Sequence, residues 1–237
     1  MSKLFYQKDC SSTNDEISQV LLYPNLNFIG LYTFNQKNGR GQYGNSWISA
    51  PEENLAYTLA IKAENIILTD FLFNYYTAIL IQQFLVKMTD SVVEIKWPND
   101  IIIKKKKVTG ILIEKKKINE DWYFIVGIGI NILQKKFDDI SNAGSLFTQT
   151  EKVFDLHTFT QQLQNYLVEN YPIAHSEEEI LEKFNQNLFR KNVISVFELN
   201  NQRQNGIIKY ADAEGKLWIE LENGLQSFYL KQIKLLY

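Results

Sequence analysis

Four short segments carry side chains whose types and spacing suit chemistry on a small polar ligand and on phosphate. The first is Ser11-Ser12-Thr13-Asn14. Hydroxyl and amide side chains cap free N–H groups at a helix start, and such a start also offers small donors and acceptors to a polar, uncharged ligand. The second runs Gln36-Lys37-Asn38-Gly39-Arg40-Gly41-Gln42-Tyr43-Gly44-Asn45-Ser46-Trp47. Its glycines let backbone approach a ligand closely and turn N–H groups toward phosphate oxygens. Arg40 adds a permanent planar cation matched to carboxylate or phosphate, and Trp47 a flat apolar face. A lone G-R-G reads equally as an ordinary surface loop, and neither the dinucleotide fingerprint nor the Walker pattern is satisfied.

The third segment is Lys96-Trp97-Pro98-Asn99-Asp100, followed by Lys107 and then Gly110-Ile111-Leu112-Ile113-Glu114. An irregular junction between two apolar strands is a common place for a site. Lys104, Lys105 and Lys106 read as a solvated turn, whereas Lys107 begins a strand with a glycine close behind. If Lys107, Gly110 and Leu112 line one pocket, strict alternation fails, and a bulge near Thr109 is expected. The fourth segment is Val126-Gly127-Ile128-Gly129-Ile130-Asn131. Glycines inside a strand weaken it, so something passes close to the backbone there, whether a ligand or a packed helix. Asn131 at the strand's end donates and accepts together, as an adenine edge requires.

The elements that must hold these segments follow from periodicity. Thr13-Asn14-Asp15-Glu16 has the form of a capping box and predicts a helix from about Asn14 to Leu22. Strands are expected at Phe28 to Phe34, Leu55 to Ile61, Val92 to Lys96, Ile101 to Ile103, Val108 to Glu114 and Trp122 to Ile132. Asp70 to Lys87 lacks Pro and Gly and is apolar around most of its circumference, so it predicts a long buried helix. Two more helices are expected, at about Asp155 to Asn170 and Glu177 to Phe189. From Asn192 onward short strands and glycine turns predict a small β-barrel.

Composition sets the class. The 237 residues are 45% hydrophobic and 22% charged, which suits a folded domain with a small appendage. A net charge of −2 gives no footing for non-specific DNA binding. Cys10 is the only cysteine and reads as a small buried or edge side chain, and no cluster has zinc-ligand spacing. His157 and His175 lie outside every motif and read as structural. Neither a signal peptide nor a membrane span is legible, so a soluble cytoplasmic protein without membrane partners is expected.

In this order, the motifs resemble those of the catalytic domain of biotin–protein ligases. The correspondence is Ser12-Thr13-Asn14, Gly39-Arg40-Gly41 through Trp47, Lys96 to Asp100, Lys107 to Glu114 and Gly127 to Asn131, with Ala143-Gly144-Ser145-Leu146 a weaker echo. The resemblance implies an α+β fold. A mixed β-sheet catalytic domain of the biotin/lipoate ligase type, class II synthetase-like, would span residues 1–190, and a small SH3-like β-barrel 191–237. It implies that Ser12, Thr13, Asn14, Gln36, Gly39 and Arg40 meet the ureido end of biotin, and that Gly110, Leu112, Gly127 and Gly129 flank its tail. Lys107 and Arg40 would be the catalytic cations. ATP would meet Arg40, Gly41, Trp47, Asn99, Asp100, Lys107 and Asn131, and Asp100 would serve magnesium. The implied partner is a biotin carboxyl carrier protein, as in acetyl-CoA carboxylase or a related carboxylase, and a homodimer is compatible with the family.

Two departures qualify the resemblance. Many relatives place arginines where this chain has Gln42, Tyr43 and Asn45; Asn45 before Ser46-Trp47 resembles another branch of the family, whereas Gln42 and Tyr43 bear on how tightly an adenylate is held. The S-T-N motif begins at residue 12, so the DNA-binding domain of repressor members is not expected. A lipoate or octanoate ligase of the same fold, and a non-catalytic biotin-binding regulator, are the alternative readings.

Overall fold

The computed structural model describes residues 2–21, 26–137, 140–172 and 175–237. Apolar and β-branched runs build a seven-stranded mixed sheet in the order β1-β2-β5-β9-β8-β7-β6. Its strands are β1 (Ser2–Tyr6), β2 (Phe28–Thr33), β5 (Asn54–Lys62), β6 (Val93–Lys96), β7 (Asp100–Ile103), β8 (Lys106–Ile118) and β9 (Asp121–Asn131). The edge strand β1, which periodicity does not reveal, pairs in parallel with β2; the remaining neighbours are antiparallel. A two-stranded ribbon, β3 (Gly39–Arg40) with β4 (Ser46–Trp47), lies within the glycine loop.

Alternation along the strands sorts the two faces. Leu55, Tyr57, Leu59 and Ile61 of β5, with Phe124, Val126, Ile128 and Ile130 of β9, join the large core. Three helices cover that face: α2 (Asp70–Thr89), α4 (Leu156–Asn170) and α5 (Glu177–Gln186), through residues such as Phe73, Leu163 and Phe184. Thr69 caps α2 by accepting the Leu72 N–H at 3.4 Å, and Asp90 ends it in the left-handed region at φ 53°. Although α2 is long and apolar, no helix among the described residues suits a membrane span.

The opposite face carries a small cluster, Ile17, Leu21, Ile29, Leu31, Ala60, Tyr123 and Ile125, beneath α1 (Thr13–Glu16). The expected helix from Asn14 to Leu22 is shorter: α1 passes into a 3-10 turn at Ile17–Val20, and Leu22 lies outside the described residues. The expected capping box is also absent. The Glu16 carboxylate accepts from Ser11 N–H at 2.6 Å, while the Thr13 hydroxyl turns toward Gln36 and Thr58.

After the short α3 (Leu146–Thr150), α4 and α5, the chain forms β10 (Ile194–Leu199), β11 (Gln202–Ala211), β12 (Leu217–Leu221), β13 (Gly224–Phe228) and β14 (Lys234–Leu236). They order as β13-β12-β11-β10-β14 in an open antiparallel sheet, so the expected barrel does not close by strand pairing. Between the end strands β13 and β14 the connecting segment makes an isolated bridge, Leu230 to Ile233. This module is docked firmly. Asn185 on α5 exchanges two hydrogen bonds with the Ala211 backbone at 2.9 and 2.7 Å, and Phe197, Ile208 and Ile219 join the large core.

Candidate active site

On the α1 side of the sheet, residues from all four motifs line one cleft of about 240 Å³. Its polar end is built by α1 against β5. Thr13, Asn14 and Thr58 are each at most 5% exposed. The Thr58 hydroxyl lies 2.7 Å from Asn14 Oδ1 and 2.8 Å from Thr13 Oγ1. Gln36 Oε1 accepts from the Thr13 N–H at 2.9 Å and from its hydroxyl at 3.2 Å. Asn14 Nδ2 donates to Glu114 at 3.0 Å and more weakly to Leu112 O at 3.4 Å. Thr58 falls outside the sequence motifs; its signal is one hydroxyl between Ala56 and Ala60 on the small-residue face of β5.

The glycines of the sheet make room for the protein's own side chains. A Cβ on Gly127 would lie 2.3 Å from Asn14 Oδ1, and one on Gly129 2.4 Å from the Trp47 ring. Gly110, paired with Gly129 across β8 and β9, would meet the same ring at 2.9 Å. The indole thus rests on a two-glycine platform, with its Nε1 buried and unpartnered.

At the other end, α2 and the β6–β7 junction position the cations. Trp97 is buried and donates its Nε1–H to Tyr75 at 3.3 Å, while Asn74 holds Asn99 Nδ2 at 2.6 Å. Asn99 Nδ2 also lies 3.2 Å from Ile111 O, so Asn99 secures the junction to β8. The expected bulge is present. Thr109 pairs with Ile101 but Lys107 with Ile102, leaving Val108 as the extra buried residue. This shift turns Lys107 to the Gly110 face, where its Nζ lies 2.6 Å from Asp100 and 5.7 Å from the Trp47 ring centroid. Lys107 N–H donates to Asn142 O at 2.7 Å and its carbonyl accepts from Gly144 N–H at 3.0 Å, which gives the 143–146 echo a supporting role. Lys96 Nζ stands 3.7 Å from Asp100 and over the ring of the last residue, Tyr237. Burial, then the Asp100 charge, push the Tyr237 hydroxyl up to about 12.

The glycine loop closes a third side. Arg40 Nη2 is 2.7 Å from Asp15 and 2.9 Å from Glu114, and Lys116 Nζ lies 3.3 and 3.4 Å from the same two carboxylates. From the C-terminal module, Lys231 Nζ sits 4.3 Å over the Tyr43 ring, and Leu230 and Lys231 line the cleft.

Of the sixteen residues singled out in the sequence, Ser12, Thr13, Asn14, Gln36, Arg40, Gly41, Trp47, Asn99, Asp100, Lys107, Gly110, Leu112, Gly127 and Gly129 line this cleft. Gly39 and Asn131 do not. Gly39 pairs with Trp47 in the ribbon, where an added Cβ would run into Trp47 O, and it lines a separate depression with Lys37, Asn38 and Ile48. Asn131 is buried, donating from Nδ2 to Gly144 O at 3.0 Å, with its Oδ1 unpartnered. Lys106 differs from the turn expected of it, since it starts β8 and bonds Ser141 O. Cys10 is buried, and burial first, then Glu16, push its thiol up to about 12. His157 packs its ring against Tyr6, Tyr32 and Phe34, and His175 pairs with Glu179 at 3.4 Å. Among the described residues no group of three or more His, Cys, Asp or Glu could hold a metal ion.

Several known proteins resemble this chain to graded extents. The bifunctional ligase/repressor BirA of Salmonella typhimurium is 28% identical over 116 residues, 48% of this chain and 36% of that protein. BirA of Bacillus spizizenii is 25% identical over 215 residues, 84% of this chain and 64% of that protein. This chain therefore spans less than two thirds of the length of both relatives. Its fold is that of biotin protein ligase from Aquifex aeolicus, solved in complex with biotin and ATP, with a TM-score of 0.81 and 23% identity over 99% of this chain and 98% of that one. Biotin protein ligase from Leishmania major, in complex with biotinyl-5-AMP, superposes at 0.67 with 20% identity over 96% and 98% of the two chains. Residues 24–131 match the model of the biotin/lipoate A/B protein ligase family, and the chain has the fold of a biotin protein ligase.

Proposed function

We propose that this protein forms biotinyl-5′-AMP from biotin and ATP and transfers biotin to a lysine of a biotin carboxyl carrier protein, a subunit of acetyl-CoA carboxylase or a related carboxylase. One observation carries the reading: a single cleft joins a neutral hydrogen-bonding end at Thr13 and Gln36 to a cationic end at Lys107 and Lys96. A ureido ring has N–H donors and a carbonyl acceptor but no charge, which suits Ser12, Thr13 and Gln36, whose side chains both donate and accept. Ser12 makes no side-chain cap and keeps its hydroxyl for the ligand. The tail would run along Gly110, Leu112, Gly127 and Gly129, sharing that platform with Trp47. A dithiolane would leave the polar end unpaired, at a cost of roughly 1–3 kcal/mol per buried group, and this favours biotin over lipoate.

The biotin carboxylate would then lie by Lys107. A carboxylate oxygen attacks the α-phosphorus of ATP, the new P–O bond forms, and pyrophosphate leaves with its bonding pair. Both reactants are anions, so fixed cations bring them together and hold the charge of the transition state; positioning and electrostatics supply most of the rate. Lys107 and Arg40 take that role. The carrier lysine attacks the acyl carbon of the mixed anhydride, an amide forms, and AMP departs. The loop with Trp47 shields the anhydride from water. Gly41 and Trp47 would flank the nucleotide, and Asn99 supports the junction beneath it.

Magnesium fits as the ion that arrives on the triphosphate. Such ions use one or two carboxylates plus phosphate oxygens, and Asp100 is the carboxylate beside Lys107 and Lys96. Once bound it neutralises phosphate charge.

The test is incubation with biotin, magnesium-ATP and a biotin carboxyl carrier domain, read by intact mass. One biotinyl group on the carrier and release of pyrophosphate are expected. Transfer of lipoate but not biotin would move the assignment to the lipoate branch, and binding without pyrophosphate release would make the protein a regulator.

A further inference from the structure

Glu114 touches no ligand position in the reading above and does not line the cleft, yet it bonds both Asn14 of the polar end and Arg40 of the glycine loop. Alternation on β8 puts Gly110, Leu112, Glu114 and Lys116 on the cleft face. The Glu114 side chain is only 23% exposed. Its carboxylate holds Asn14 Nδ2 at 3.0 Å, Arg40 Nη2 at 2.9 Å and Lys116 Nζ at 3.4 Å. Toward the polar end it acts by orientation. An asparagine amide has two near-isosteric settings, and only its partners choose between them. The Thr58 hydroxyl can donate or accept, so it accepts either setting. Glu114 only accepts, so it commits Nδ2 to itself and Oδ1 to Thr58.

Toward the charged end the same carboxylate, with Asp15, holds Arg40 away from phosphate. An incoming anion must draw Arg40 off these two carboxylates. Lys116, 3.3 Å from Asp15 and 3.4 Å from Glu114, remains to balance them. The first anion to arrive bears that cost, and the second finds Arg40 already released. We propose that Glu114 is a positioning residue that makes biotin and ATP binding cooperative: it sets the Asn14 amide for biotin and parks Arg40 until the biotin carboxylate releases it. The inference rests on the biotin-ligase reading.

Calorimetry with α,β-methylene-ATP, which cannot lose pyrophosphate, tests it. In the wild type, biotin should raise nucleotide affinity several-fold, and by linkage the nucleotide should raise biotin affinity by the same factor. The alcohol analogue of biotin, lacking the carboxylate, should bind without that effect. Glu114→Gln keeps an acceptor for Asn14 but loses the charge. It should bind nucleotide, and biotin, each more tightly in the absence of the other, and show a reduced coupling factor. Asp15→Asn with Glu114→Gln should bring the factor close to one. Glu114→Ala should in addition weaken biotin by roughly tenfold, the scale of one hydrogen bond to a charged group. A merely structural role would lower the thermal midpoint and leave the coupling factor unchanged, and that result in Glu114→Gln overturns the proposal. A wild type that exchanges no pyrophosphate with biotin overturns the ligase reading and this coupling with it, whereas an active wild type equally coupled by the alcohol overturns the coupling alone.

Discussion

At the polar end of the cleft Thr13, Asn14 and Thr58 are almost fully buried and bonded to one another, whereas at the charged end Arg40, Lys107 and Lys96 keep 42%, 33% and 27% of their side chains exposed. The difference follows from what each end would lose by moving. Breaking a buried neutral network strands donors and acceptors that water cannot reach. Exchanging a half-solvated ion pair costs about 0–1 kcal/mol, because water and a new anion replace the old partner. Recognition is therefore preorganised at one end, and the other holds cations in reserve on Asp15, Glu114 and Asp100.

Replacing Lys107 should break the charged end alone. Lys107→Ala is expected to slow pyrophosphate release on the order of a hundredfold or more, the scale of a lost transition-state charge contact, while the thermal midpoint barely changes and biotin affinity falls far less than the rate. Lys105→Ala, in the positive-φ turn before β8, should be nearly neutral. Equal rates for the two variants would remove Lys107 from the chemistry.

A smaller effect is expected at the polar end. In Gly127→Ala the new methyl would sit 2.3 Å from Asn14 Oδ1 and must displace it. Biotin affinity should fall about tenfold and stability by roughly 1–3 kcal/mol, with maximal turnover at saturating biotin near the wild-type value. Loss of turnover with unchanged biotin affinity would mean that the two ends are not separable in this way.

The smallest effect is expected in the loop. Gln42 and Tyr43 line the cleft where many relatives carry arginine, and Lys231 and Lys96 are the other cations lining it beside Lys107 and Arg40. Lys37 faces Asp9 at 3.7 Å and lies outside it. Gln42→Arg, alone or with Tyr43→Arg, should slow release of preformed biotinyl-adenylate by up to about tenfold, the scale of one charge-assisted contact, without changing biotin specificity. Release rates equal to wild type in a chase without carrier would assign retention to burial and loop closure.

What the sequence determined by itself is local. Runs of apolar, β-branched and aromatic residues located β2, β5, β8 and β9, and the absence of Gly and Pro located α2. The parity of Lys107 against Gly110 and Leu112 demanded the bulge that Val108 supplies. Paired glycines announced a close approach, though not that Asn14 and Trp47 would make it. The tertiary structure alone decided the partners. Asn14 meets Glu114 across 100 positions of chain and Arg40 meets Glu114 across 74. It also turned Thr13 from a cap into part of the polar network, and left β13 and β14 unpaired with each other where a barrel was expected. The physical reason is range. Alternation and backbone freedom are properties of neighbouring residues, whereas an ion pair, an amide's orientation or the closure of a sheet depends on which distant segment the packed core brings alongside.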